Sequence, residues 1–174
     1  KIAVKKLVAG IRHNLVKEGK DPNSVLIYTM LAIVVDETDE KAQAKFQEYQ
    51  QYGSYDGGLT LASGWSGVDF SQFRPTDQVE YIQTNAIQSM LQSYVEADPD
   101  KIWTIEEIAH WTSVGGNGPV IIGSPTTVAD RLQEWVEETG IDGFNLAYIL
   151  AHKSFEDVVE FVVPELQRRG VYQT

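Results

Sequence analysis

The 174-residue chain contains no cysteine. A disulfide framework and thiolate chemistry are excluded, and the absence favours a reducing compartment. Histidine is scarce. His13, His110 and His152 lie far apart in sequence, which argues against a metal site built from them. Positive charge is also short, with 14 Lys plus Arg against 25 Asp plus Glu and a net charge of −11. A surface this acidic is repelled by phosphate backbones and by anionic lipid, so no nucleic acid and no membrane is expected as a partner. The longest apolar run, Val25 to Val35, is too short for a bilayer and is interrupted by Tyr28 and Thr29. No signal peptide is visible, and a cytoplasmic protein is expected. Walker-type loops, G-x-G-x-x-G, H-E-x-x-H and the nucleophile elbow are all missing. No catalytic residue can be named from such motifs.

What is present follows an α/β order. Ile2 to Val16 places Val4, Leu7, Ile11 and Leu15 on one helical stripe, and Gly19 with Asp21-Pro22 ends it. The segment VLIYTMLAIVV, Val25 to Val35, is β-branched and hardly alternates, as in a parallel strand covered on both faces. A helix is predicted from Asp39 to about Gln51, capped by Thr38, with Asp39 and Glu40 complementing its positive end. The acidic runs Asp36 to Glu40 and Glu134 to Glu138 read as solvated faces and caps. From Gly53 to Asp77 glycine, serine and aromatics crowd together without a sustained period, so a long irregular excursion is expected. Ile82, Ala86 and Met90 predict another helix, broken at Asp98-Pro99. Thr104-Ile105-Glu106-Glu107 is a capping box, and its helix should carry Ile108 and Trp111 inward.

The last third is the most regular. Val120 to Ile122 is a short strand, Gly123 allows a tight turn, and Ser124 caps a helix with Pro125 at its first position. Val128, Leu132, Trp135 and Val136 should form its buried face, with Gly140 closing it. Gly143 to Leu150 is the next strand, parallel to the previous one in a βαβ unit. Ser154 should cap a final helix that Pro164 kinks or restarts.

In α/β barrels chemistry sits at the C-terminal ends of the strands. Gly123 and Ser124 offer backbone N–H groups at a helix N-terminus, which suit a phosphate; the alternative is an ordinary N-cap followed by proline. His152, after the last strand, either faces a site or is a solvated loop residue. Trp65 either lines an apolar substrate pocket or packs the excursion in place. Asn85 is a pocket amide or a helix-surface one. His13 reads as structural, and His110, on the capping-box helix, as structural or functional.

Val120-Ile121-Ile122-Gly123-Ser124-Pro125, Asp142-Gly143-Phe144-Asn145-Leu146 and Val163-Pro164-Glu165-Leu166-Gln167-Arg168-Arg169-Gly170 together resemble the luciferase-like flavin-dependent monooxygenases. The branch is that of the nitrilotriacetate, dibenzothiophene-sulfone and long-chain alkane monooxygenases. The resemblance implies the C-terminal part of a (β/α)8 TIM barrel with a long helical insertion, the barrel being incomplete. Residues 1–52 would be βα units, 53–118 the insertion and 119–174 the last two βα units. It further implies reduced FMN as cofactor, O2 as co-substrate, a separate NAD(P)H-dependent flavin reductase as partner and a homo-oligomer. One oxygen atom would enter a small organic substrate, an organosulfur compound or amine among the candidates. Gly123 and Ser124 would then lie near the flavin, and Trp65 and His152 near the substrate. Two alternatives stand beside this: a non-catalytic assembly module, and a relative using the deazaflavin F420. A chain of this length is expected to be inactive alone.

Overall fold

The VLIYTMLAIVV run forms β1 over Tyr28–Val35, and its last five residues are buried. In the computed structural model, which describes residues 1–79, 102–116 and 118–173, β1 is the central strand of three. β2 (Val120–Gly123) pairs with its C-terminal half, Ala32 to Val35, and β3 (Gly143–Ala147) with Tyr28 to Ala32. Both pairings are parallel. The central place explains why β1 lacks alternation, since it has no edge to show to water. β2 and β3 are parallel to each other as expected but are not neighbours, because β1 lies between them.

The chain divides into two compact units, Lys1–Gln47 with Gly118–Thr174, and Glu48–Asn117. In the first unit, Leu31, Ile33 and Val35 share one face of β1 at strand period, and they pack with Ile121 of β2 against helices. Those helices are α1 (Ile2–Lys17), which contributes Val8, and the Pro125–Thr139 helix, which contributes Val128, Leu132 and Trp135. Leu7, expected inside, is 63% exposed, and Val136 is also exposed. Each lies one position off the row that meets the sheet: Val4 and Val8 on α1, and Val128, Leu132, Trp135 and Thr139 on the other helix.

Strand β1 begins later than its apolar run because Arg12 shapes the approach to it. The guanidinium donates to the carbonyls of Pro22 and Val25, each at 2.6 Å, and to the Asp142 carboxylate at 2.6 Å. The same Asp142 oxygen accepts the Ile27 N–H at 2.7 Å, tying the start of β1 to the start of β3. The Ile27 N–H first, and Arg12 after it, hold the Asp142 carboxyl below its ordinary value of 3.8. A depressed folded pKa gives stability that is fully present above the unfolded value and lost as pH falls through the folded one. Asp142→Asn is therefore expected to flatten the fall in stability below about pH 4, read by urea unfolding across that range; an unchanged slope would contradict the clip.

The chain's end is one helix with a fault in it. Lys153–Asp157 is α-helical, Val158–Val162 forms a π-helical turn, and Val163–Arg168 is α-helical again. Pro164 restarts the helix: it has no N–H to give, and the wider turn just before it absorbs the mismatch. Arg169 then pins this segment. It bonds Glu165 at 2.7 Å, Asp130 at 2.6 Å, the Gln133 side chain and the Thr126 carbonyl. Hydrogen bonds from Arg168 and then Arg169 bring the Glu165 carboxyl down to about 2. The Glu165-Leu166-Gln167-Arg168-Arg169 string is thus a charge clamp.

The second unit corrects the expectation of an irregular excursion. Tyr55–Ser66 is a helix, α3 in chain order after α2 (Asp39–Gln51). Ser54 caps it, and Gly67, with φ 70°, ends it. It packs on α4 (Ile105–Gly115), whose predicted capping box between Thr104 and Glu107 is fully formed. The α3 face toward α4 is the row Gly58, Ala62, Ser66, all buried. Phe70, Val79, Trp103, Ile105 and Ile108 complete this core. The helix expected over Ile82 to Met90, and with it Asn85, lies outside the described residues.

Candidate functional site

Parallel strands place their C-terminal ends on one edge of the sheet. Three loops leave that edge: Asp36 to Thr38 after β1, Ser124 after β2 and Tyr148 to His152 after β3. With Gly123, the last residue of β2, they hold every sequence-predicted site residue of the first unit.

Gly123 and Ser124 lie at the start of α5 (Pro125–Thr139), with Pro125 in its first turn as predicted. Ser124 Oγ accepts the Thr127 N–H at 3.3 Å. The N–H of Ser124 that was offered to a phosphate instead donates to Asp39 Oδ1 at 2.7 Å, and Thr127 Oγ1 bonds Asp39 Oδ2 at 3.1 Å. A carboxylate of the chain's own second helix thus sits where an anion would bind. The Ser124 N–H first, and Thr127 after it, hold the Asp39 carboxyl below its ordinary value. Gly123 is required by space: a Cβ there would come within 2.7 Å of the Thr127 methyl and 2.9 Å of Asp39 Oδ1. The sequence reading missed Asp39 in this role, having taken it as a first-turn acid of its own helix.

Behind the β1 loop is a charge cluster that no sequence signal marked. Lys45 of α2 donates to the Val35 carbonyl at 3.0 Å and to Asp157 Oδ2 at 2.7 Å, with Asp36 at 3.4 Å. Lys153 reaches the other Asp157 oxygen at 2.8 Å. The Lys45 and Asp157 side chains are 16% and 6% exposed. The N–H of Glu37 is the main cause of a lowered Asp36 pKa, and Lys45 adds to it. The arrangement fastens α2, β1 and α6 (Lys153–Asp157) together at the C-terminal edge of the sheet.

After β3 the chain makes a tight loop. Ser154 does not cap its own helix; its Oγ accepts the N–H groups of Ile149 and Leu150, each at 3.1 Å. His152 has φ 64° and ψ −57°, the only positive φ of a non-glycine among the described residues. The Lys153 N–H donates to the Ala151 carbonyl at 2.8 Å across it, which makes a strained γ-turn. His152 is exposed, as is Tyr148, whose ring meets Phe155 edge-on at 5.9 Å.

Trp65 belongs to the other unit, on α3, where it is 41% exposed and its ring edge approaches Gly116. His110 is exposed and meets the Tyr55 ring at 5.8 Å, and His13 is exposed on α1. A cleft of about 630 Å³ lies on the helix side of the sheet, floored by Ile33, Phe144, Leu146 and Leu132, and contains none of the predicted site residues. Among the described residues no helix is long and apolar enough to cross a membrane.

No protein-family model matches the chain. Dimethyl-sulfide monooxygenase of Hyphomicrobium sulfonivorans is 36% identical over 166 residues, which are 95% of this chain and 35% of that protein. The crystal structure of DmoA from Hyphomicrobium sulfonivorans superposes with a TM-score of 0.86 at 35% identity, covering 98% of this chain and 36% of that one. A riboflavin lyase solved with modified FMN and its substrate riboflavin superposes with a TM-score of 0.79 at 25% identity, covering 98% of this chain and 37% of that one. The chain spans about a third of the length of the curated relatives it matches.

Proposed function

We propose a function from one premise: the chain matches the luciferase-like family of FMN-dependent monooxygenases, the nitrilotriacetate, long-chain alkane and dibenzothiophene-sulfone enzymes among them. Its three parallel strands and helices are an incomplete barrel of that fold with a helical insertion. On our reading the chain supplies part of the strand-end rim of a two-component monooxygenase. Such an enzyme takes reduced FMN from a separate flavin reductase and places one atom of O2 in a small organic substrate. The likeness to dimethyl-sulfide monooxygenase over 95% of the chain carries this reading and favours a small organosulfur substrate.

Reduced FMN, when bound, would supply the activation of O2, and the residues of the rim would bind and orient it and exclude water. The N-terminus of α5 has the donors for a phosphate, but Asp39 already engages them, so a phosphate would seat at Gly123-Ser124 only by displacing that carboxylate. The loop after β3, with exposed His152 in its strained turn, is the part of the rim we assign to the substrate. Trp65, partly exposed on the helical unit, is suited to an apolar substrate. The test is the native enzyme with FMN, NADH, a flavin reductase and dimethyl sulfide under 18O2. One labelled oxygen atom in the oxygenated product, or one labelled water and one O2 consumed per dimethyl sulfide lost where that product is an aldehyde that exchanges with solvent, supports the reading; NADH oxidation without loss of dimethyl sulfide opposes it. A second reading, an assembly module, is favoured by the outer edges of β2 and β3, which carry no strand partner among the described residues.

A further inference from the structure

The helix after β3 buries only polar side chains. α6 runs from Lys153 to Asp157, little more than one turn, and a helix that short has no stability of its own. Its buried residues are Ser154 and Asp157, while Lys153, Phe155 and Glu156 are exposed. Three positions apart, the two buried residues share one face but meet different partners. Ser154 Oγ accepts the N–H groups of Ile149 and Leu150, each at 3.1 Å, and so fixes the loop in front of the helix. Asp157 Oδ2 accepts from Lys45 of α2 at 2.7 Å. The Lys45 ammonium, on a side chain 16% exposed, also donates to the Val35 carbonyl at the end of β1 at 3.0 Å. One cation thus joins the central strand to the helix that carries the loop. The loop needs an outside hold. His152 sits at φ 64° and ψ −57°, and the Lys153 N–H closes a γ-turn on the Ala151 carbonyl at 2.8 Å. A turn of this sign is strained and persists only where its surroundings over-determine it.

We propose that Lys45 is a positioning residue for the loop after β3. Through Asp157 and Ser154 it sets the backbone from Ile149 to His152, a task separate from its share in overall stability. The two tasks differ physically. An apolar pair in place of the ion pair restores stability, but apolar contact is non-directional and leaves a one-turn helix free to rotate. A hydrogen-bonded ammonium shared between two elements fixes that rotation. Lys153 cannot take this part, because it lies on the same helix as Asp157, four positions away, and ties the helix only to itself. Lys45 acts in the chain alone; that the loop meets a substrate rests on the function proposed above.

Native-state hydrogen exchange of the chain, read by NMR at the Ile149, Leu150 and β1 amides, tests this, with urea unfolding of each variant in parallel. The deciding variant is Lys45→Met with Asp157→Leu, which exchanges the buried pair for an apolar one and should unfold close to the parent. Relative to the β1 amides, Ile149 and Leu150 should nonetheless exchange about tenfold faster or more, by local opening. Asp157→Asn, which keeps the shape and loses the charge, should give a smaller rise confined to the same two amides, and it decides the matter if the double variant does not fold. Ser154→Ala should release both amides directly, and Lys153→Met should leave them as in the parent. Ile149 and Leu150 protected as in the parent in the deciding variant, or a rise shared equally with β1, would overturn the proposal, since the pair would then only stabilise. No flavin or substrate enters the measurement, so its failure leaves the monooxygenase reading to its own test.

Discussion

Replacing Lys45 with methionine is expected to lower the unfolding free energy by about 3 kcal/mol, within the usual cost of removing one partner from a buried ion pair. Asp157 keeps Lys153, but that side chain is 49% exposed and its attraction is screened by water. Lys45 also satisfies the Val35 carbonyl at the end of the central strand, so its loss leaves a backbone acceptor short as well. Lys153→Met should cost less than about 1 kcal/mol. The double variant Lys45→Met with Asp157→Leu should recover much of the loss, because neither charge then remains buried. Urea unfolding of the four proteins decides it. Equal costs for the two lysines, or no recovery in the double variant, would mean that the cluster does not hold the strand ends together as described.

Two glycines of one helix should respond with opposite signs. A Cβ at Gly58 would lie 2.0 Å from the carbonyl oxygen of Ala109 on α4, and backbone cannot step aside without parting the helices. Gly58→Ala should destabilise by about 3 kcal/mol, at the upper end of overpacking costs. Gly64 meets nothing within 4 Å, so Gly64→Ala should stabilise by about 0.5–1 kcal/mol through reduced freedom of the unfolded chain. Thermal unfolding is enough to see both; a tolerated Gly58→Ala would show that α3 and α4 do not cross this closely.

The same crossing shows why α3 was illegible in the sequence. Its buried row is Gly58, Ala62 and Ser66, small residues that hydrophobic periodicity does not register. Signals contained within a turn of helix were readable: the Thr104–Glu107 capping box and Ser124 with Pro125 both form as written. Ser154 carried the same local signal and is spent elsewhere, on the two N–H groups of the loop before it. Contacts between distant segments left no trace. Asp39 reaches Ser124 across 85 positions and Lys45 reaches Asp157 across 112, and each acid has an ordinary local reading in its own helix. Strand order was hidden for a similar reason. Apolar content marks three strands, but which one is central depends on edges that meet only in the fold.

If this chain carries part of the rim of a flavin monooxygenase, as proposed, the folded chain holds flavin. Anaerobic titration of the folded chain with reduced FMN, with thermal unfolding followed in parallel, tests it most directly. Saturable binding is expected, with a melting temperature that climbs with ligand, corresponding to about 2.7 kcal/mol at a hundredfold excess over Kd. A chain that melts cooperatively at the same temperature at every FMN concentration would contradict it.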